Sequence, residues 1–223
     1  MSEEQEVIFD YELNEADEAA ISGYTGEGGS ETIPETIEGY PVTSIGISAF
    51  RECTSLTSVN IPDSVISVEA WAFAGCTSLT GVILPKRLAS IGRAAFSNCT
   101  ALTAVNIPAS LTGIDDAVFS VCTSLTSVDI PAGVISIGHD AFRDCTSLTS
   151  VNIPDSVTSI GNRAFADCVS LTSVIVPSGV TSIGHLAFAG CTSLTAIAIP
   201  RSLSPQLSGI GIDAEKVSVK LID

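Results

Sequence analysis

Near copies of Ala72-Phe73-Ala74-Gly75-Cys76-Thr77-Ser78-Leu79-Thr80 return every 23 residues between Ala49 and Thr195. A fixed period of this length describes stacked coils in which each unit touches only its neighbours, so it overrides any domain count drawn from length. All seven cysteines obey the period, at Cys53, Cys76, Cys99, Cys122, Cys145, Cys168 and Cys191. Phe50, Phe73, Phe96, Phe119, Phe142, Phe165 and Phe188 keep the same step, as do the prolines from Pro62 to Pro200. The expectation is one elongated solenoid, mostly β and irregular, with one short parallel strand per coil and little helix.

Within a coil, Leu56, Val59 and Ile61 alternate with Ser58 and Asn60, which is the pattern of a strand with one buried face. Pro62 ends that strand because it lacks the N–H a ladder needs. Brief helical or 3₁₀ structure is expected from Ala72 to Cys76. The cysteines stand at equivalent positions with side chains pointing the same way, so they lack the facing Cβ vectors of a disulfide and read as buried free thiols. A straight ladder does not converge tetrahedrally, which argues against zinc.

The ends depart from the pattern. Val7 to Leu13 alternates loosely and can pair with Ala19 to Tyr24 across Asn14-Glu15-Ala16-Asp17-Glu18, giving a capping hairpin and loop over residues 1–31. Thr32-Ile33-Pro34 matches Asn60-Ile61-Pro62 and opens a degenerate first coil with an insert at Glu38-Gly39-Tyr40-Pro41, so the solenoid is assigned to 32–203. Residues 204–223 lack the periodic Phe and Cys and form a C-terminal cap, whose alternating Lys216 to Ile222 reads as a terminal strand with lysines blunting its edge.

The unit from Cys145 to Phe165, Cys-Thr-Ser-Leu-Thr-Ser-Val-Asn-Ile-Pro-Asp-Ser-Val-Thr-Ser-Ile-Gly-Asn-Arg-Ala-Phe, resembles the BspA-like class of leucine-rich repeats. The resemblance covers about residues 32 to 200, and Gly23-Tyr24-Thr25 through Ile45-Gly46 is similar to that family's first coil. It implies a leucine-rich repeat solenoid, a non-enzymatic role and a secreted or cell-surface location. It also implies a protein partner such as the host matrix proteins fibronectin and fibrinogen. Met1-Ser-Glu-Glu-Gln-Glu does not open a signal peptide, and a native start at Met1 would place the chain in the cytoplasm.

Charge narrows the partners. The formal net charge is −16, and residues 1–50 hold twelve Asp or Glu with no Lys or Arg, which disfavours nucleic acid. No run reaches the roughly eighteen apolar residues of a membrane span. The chain is expected to be a monomer or to self-associate weakly. No Gly-rich phosphate loop, catalytic triad order or paired Cys-x-x-Cys is present, and no cofactor is implied.

His139 and His185 lie two coils apart, roughly 9 to 10 Å at strand spacing, too far to share a metal, and read as solvated variable residues. Asp115-Asp116 reads as surface charge rather than an acid–base pair. The threonine series from Thr57 to Thr195 reads as hydroxyls bonding local backbone rather than as an ice-binding array. Binding is better sought where the repeat varies on the strand face: Ser58, Asn60, Ile83, Asn106, Asp129, Asn152 and Ile175. Trp71, the one tryptophan, occupies a position held elsewhere by Ala, Asp, Arg or Leu and is a further interface candidate. The expected function is a non-enzymatic protein-binding module, adhesin-like by resemblance. A structural or self-associating solenoid without a dedicated ligand is the alternative.

Overall fold

Inward leucine, valine and isoleucine at alternate positions, closed off by proline, build a short strand in every coil. A second apolar pair before the glycine then turns the chain back. The computed structural model describes residues 8–223, so Met1 to Glu6 and the start of the hairpin at Val7 lie outside the described residues. Among the described residues nine major strands lie along one face, from Gly29–Thr32 and Leu56–Asn60 through Ala196–Pro200 to Ser218–Ile222. All their pairings are parallel; between regular coils they are in register 23 residues apart, as in Ser58 opposite Gly81 and Asp129 opposite Asn152, while Gly29–Thr32 meets Leu56–Asn60 with a register shift between Gly29 and Ser30.

Each regular coil also carries a second, two-residue strand that the sequence reading lacks: Ser67–Val68, Ser90–Ile91, Gly113–Ile114, Ser136–Ile137, Ser159–Ile160 and Ser182–Ile183. Neighbouring ones pair in parallel, for example Ser136 with Ser159 and Ser159 with Ser182, except across the junction of Ser90–Ile91 with Gly113–Ile114. A two-residue alternation is too short to separate from a turn in sequence, which is why one strand per coil was expected.

The remaining side of the coil is turn, not helix. N–H groups of alternate residues there bond locally, as Cys76 to Phe73 (3.2 Å), while those between bond the next coil, as Trp71 to Arg93 (3.0 Å), Phe73 to Ala95 (2.8 Å) and Gly75 to Ser97 (2.8 Å). Half of the donors a helix would use internally are therefore spent between coils. Two residues per coil adopt left-handed φ to make this possible, at the column of Ser48, Trp71, Ala94, Ala117, Asp140, Arg163 and Leu186 and at that of Glu52, Gly75, Asn98, Val121, Asp144, Asp167 and Gly190.

The core is a stack of identical rings. Consecutive phenylalanines from Phe50 to Phe188 have centroids 4.8, 5.2, 5.8, 5.5, 5.4 and 5.5 Å apart and are inclined by no more than 17°. Such spacing is that of offset aromatic stacking. Tyr24 continues the stack onto Phe50 at 5.1 Å, and Phe9 lies 5.8 Å from Tyr24. The hairpin of Phe9–Leu13 and Ala19–Tyr24 thereby covers the first ring. At the other end the 3₁₀ helix Arg201–Gly209 buries Leu203, while Ile210, also buried, accepts the Phe188 N–H through its carbonyl at 2.8 Å. The insert in the first coil forms a small hairpin, Thr36–Ile37 against Tyr40–Ile45, turning through Glu38 and Gly39, both with positive φ as a tight β-turn requires.

Cysteine lines the stack beside phenylalanine. All seven thiols are free; six are buried and Cys53, at the first position, is half-buried. Each buried thiol donates to the carbonyl of the phenylalanine 26 residues earlier, as Cys76 Sγ to Phe50 O at 3.0 Å and Cys145 Sγ to Phe119 O at 3.2 Å. A residue here must be small, apolar enough to bury and able to donate one weak bond, which describes cysteine.

Candidate functional site: the strand face

In the three-residue major strands Gly81–Ile83, Ser127–Asp129 and Ser173–Ile175 the central valine is inward and the third residue outward. Val128 and Val174 are buried while Ser127, Asp129, Ser173 and Ile175 are exposed. The outward column of the third strand position therefore runs Asn60, Ile83, Asn106, Asp129, Asn152, Ile175, and all six are exposed. Ile83 is 71% and Ile175 67% exposed, the largest values among the exposed large hydrophobics. Two shallow hollows form around them. Ser58, Asn60, Ile83 and Asn106 line one of about 500 Å³, and Asp129, Asn152 and Ile175 line another of about 460 Å³.

The structure separates the remaining candidates. Ser58 is half-buried and donates its hydroxyl to Ser30 Oγ at 2.7 Å, so it serves the first coil junction. Trp71, 40% exposed with φ 57°, stands in the turn segment and lines neither hollow. A third hollow, of about 480 Å³, lies on the other side of Ile83 and is rimmed by Glu35, Asp63 and Lys86, while Asp155 rims the one at Ile175. Sequence reading passed over Glu35, Asp63 and Asp155, although position 63 of the repeat varies through Asp63, Lys86, Ala109, Ala132, Asp155 and Ser178 as a contact position would.

Elsewhere the polar ladders hold coils together. Thr80 donates to Thr57 O at 3.1 Å, Thr103 to Thr80 O at 3.2 Å and Thr195 to Thr172 O at 3.2 Å. The hydroxyls thus reach the preceding coil rather than their own, a correction to the local bonding expected. The His139 ring and the His185 backbone take part in a similar ladder. Asp116 Oδ1 accepts the His139 N–H (2.6 Å), His139 Nδ1 accepts the Asn162 N–H (2.8 Å) and Asn162 Oδ1 accepts the His185 N–H (2.8 Å). Asp115 is raised above the usual carboxylate range by burial and by its neighbour Asp116. Among the described residues no group of three His, Cys, Asp or Glu is placed to hold a metal ion, and no helix is long and apolar enough to cross a membrane.

The family model of the BspA-type leucine-rich repeat region matches in six copies, over residues 32–133 and 114–210. A leucine-rich cell surface protein from Faecalibacterium prausnitzii A2-165 is 40% identical at a TM-score of 0.76, the match covering 86% of this chain and 52% of that one. This chain thus spans about half the length of that protein. The leucine-rich repeat protein TpLRR of T. pallidum is 36% identical at a TM-score of 0.82, over 95% of this chain and 97% of its own. A leucine-rich repeat protein from Eubacterium ventriosum is 26% identical at a TM-score of 0.67, over 83% of this chain and 50% of its own. No curated protein matches. The period, the parallel coils and the family match together place this chain in the BspA-type leucine-rich repeat family.

Proposed function

We propose that this chain is a non-enzymatic protein-binding module, displayed outside the cell and adhesin-like, that takes its partner on the strand face and the adjoining variable turns. The observation that carries the reading is the exposure of Ile83 and Ile175 in hollows on a face that is otherwise small and polar. An isolated apolar side chain in a concavity gains most when a partner covers it. The repeat family is one generally used for protein binding, and the F. prausnitzii relative is a cell surface protein, which supports the location.

Surface-immobilised fibronectin and fibrinogen, with albumin as control, provide the test. Binding by the native chain and its loss in the Ile83→Ser, Ile175→Ser double variant is the expected result. Equal binding by both forms contradicts the strand-face reading. No binding, with light scattering that rises with concentration, would instead favour a self-associating solenoid.

A further inference from the structure

The strand-face column begins at Asn60, and its stretch Ile83, Asn106, Asp129, Asn152, Ile175 is ordered, with an isoleucine at either end, amides inside them and a carboxylate at the centre. From this order, and resting on the strand-face reading above, we infer that the partner is an extended, basic protein segment lying along the solenoid axis. It would carry two apolar residues about six apart with lysine or arginine between them on the same side.

Spacing sets the length. Ile83 and Ile175 are four coils apart, roughly 19 Å at strand spacing, and six residues of extended chain cover roughly 20 Å. A helix would need about thirteen residues for the same distance. The amides argue for the extended form. Asn106 and Asn152 are exposed, and neither side chain makes a hydrogen bond within the described residues. Each offers one acceptor and two donors, the complement of peptide N–H and C=O groups that an extended segment leaves free and a helix does not. In this they differ from Asn162, whose side chain is committed to the next coil.

Charge sets the sign. Asp129 is exposed, and among the described residues the ion pairs involve Arg51, Arg143, Arg201 and Lys216 but never Asp129. Asp155 at the rim of the same hollow is also outside every ion pair, and the chain as a whole carries −16. An acidic centre between two apolar anchors selects a cationic segment and repels an acidic one. Because side chains of an extended segment alternate, its basic residues must share the face of its apolar ones.

Fluorescence anisotropy with labelled peptides tests each element. The probe is Leu-Thr-Lys-Thr-Lys-Thr-Leu with threonine flanks. The control, Leu-Lys-Thr-Thr-Thr-Lys-Leu with the same flanks, has the same composition and charge but turns its lysines to the other side. The native chain should bind the probe at least about tenfold better than the control. Ile83→Ser or Ile175→Ser should each weaken probe binding by about tenfold, and Asp129→Lys should shift preference to the peptide with glutamate in place of lysine. All three positions are exposed, and circular dichroism with an unchanged melting midpoint confirms that the variants fold. Equal binding of probe and control, or indifference to Asp129→Lys, overturns the proposal. So does fibronectin or fibrinogen binding that requires both isoleucines while the probe fails to bind, a result that leaves strand-face binding intact and removes only the extended basic segment.

Discussion

Val121 is a β-branched residue held at φ 61°, in a column whose other members include Gly75, Asn98 and Gly190. A left-handed conformation costs an L-residue about 1 to 2 kcal/mol, least for glycine and asparagine. The position cannot relax, because the Val121 N–H is bonded to Arg143 O at 2.7 Å across the coil junction. Val121→Asn should therefore raise stability by about 1 kcal/mol, read as a higher urea midpoint at unchanged slope. A lower midpoint would mean that packing of the valine outweighs its backbone strain. Two glycines, Gly161 just after a second strand and Gly81 in a major strand, make the opposite point. A Cβ on Gly161 would lie 2.5 Å from the carbonyl carbon of Gly138, whereas one on Gly81 would meet nothing within 4 Å. Gly161→Ala should cost about 2 kcal/mol or more through the clash of the new Cβ with the Gly138–His139 peptide, and Gly81→Ala should be neutral within about 0.5 kcal/mol. Equal effects of the two changes would show that close approach is not why glycine stands there.

The thiol ladder behaves as one element. Burial pushes Cys99, Cys145 and Cys191 up to about 12 and raises Cys122 as well. An unfolded thiol ionises near 8.5, so above that pH the unfolded chain holds fewer protons than the native one. Folded values above the unfolded value mean stability that is complete below about pH 8.5 and lost as pH climbs toward the folded values. Urea midpoints should fall steadily above that pH, and the fall should be shallower in Cys122→Ala than in the native chain. Native chain and variant with the same slope would assign the loss to other groups. The second-strand element has one weak joint. Gly92, Gly138, Gly161 and Gly184 each donate to the preceding coil at 2.7 to 2.8 Å, but no such bond joins Asp115 to Ile91, the strand pairing stops between Ser90–Ile91 and Gly113–Ile114, and the ring spacing there, 5.8 Å, is the widest of the stack. Glu69 occupies the same column and keeps its bond to Ile45, so a side chain alone does not open the joint. Asp115, exposed on the surface, instead sets a second carboxylate beside Asp116. Asp115→Gly should close it, raising the urea midpoint and slowing amide exchange at Ile114; unchanged exchange would trace the gap elsewhere.

At the scale of the whole molecule, the coil period, the inward Phe and Cys columns and the outward strand-face column were legible in sequence, because each repeats with a fixed step. The second strand was not, since two residues carry no periodicity. Nor was the turn segment legible, where Ala-Phe-Ala favours helix locally but spends its N–H groups on the next coil. Tyr24 as the ring that continues the phenylalanine stack was hidden because the hairpin lies outside the period. The hollows around Ile83 and Ile175 needed the fold to show which residues flank them. What unites these features is a one-dimensional stack in which each coil is stabilised by two neighbours. Phe142 stacks on Phe119 at 5.5 Å and on Phe165 at 5.4 Å, whereas Phe188 stacks on Phe165 alone and is joined to the cap by its N–H bond to Ile210 O. Truncating a buried ring costs about 3 to 5 kcal/mol where the surroundings cannot collapse. Urea denaturation of Phe142→Ala and Phe188→Ala, side by side with the native chain, tests the stack directly. A larger fall in midpoint for Phe142→Ala is the predicted result, and an equal or larger fall for Phe188→Ala would show that the cap, not the coil-to-coil interface, limits stability.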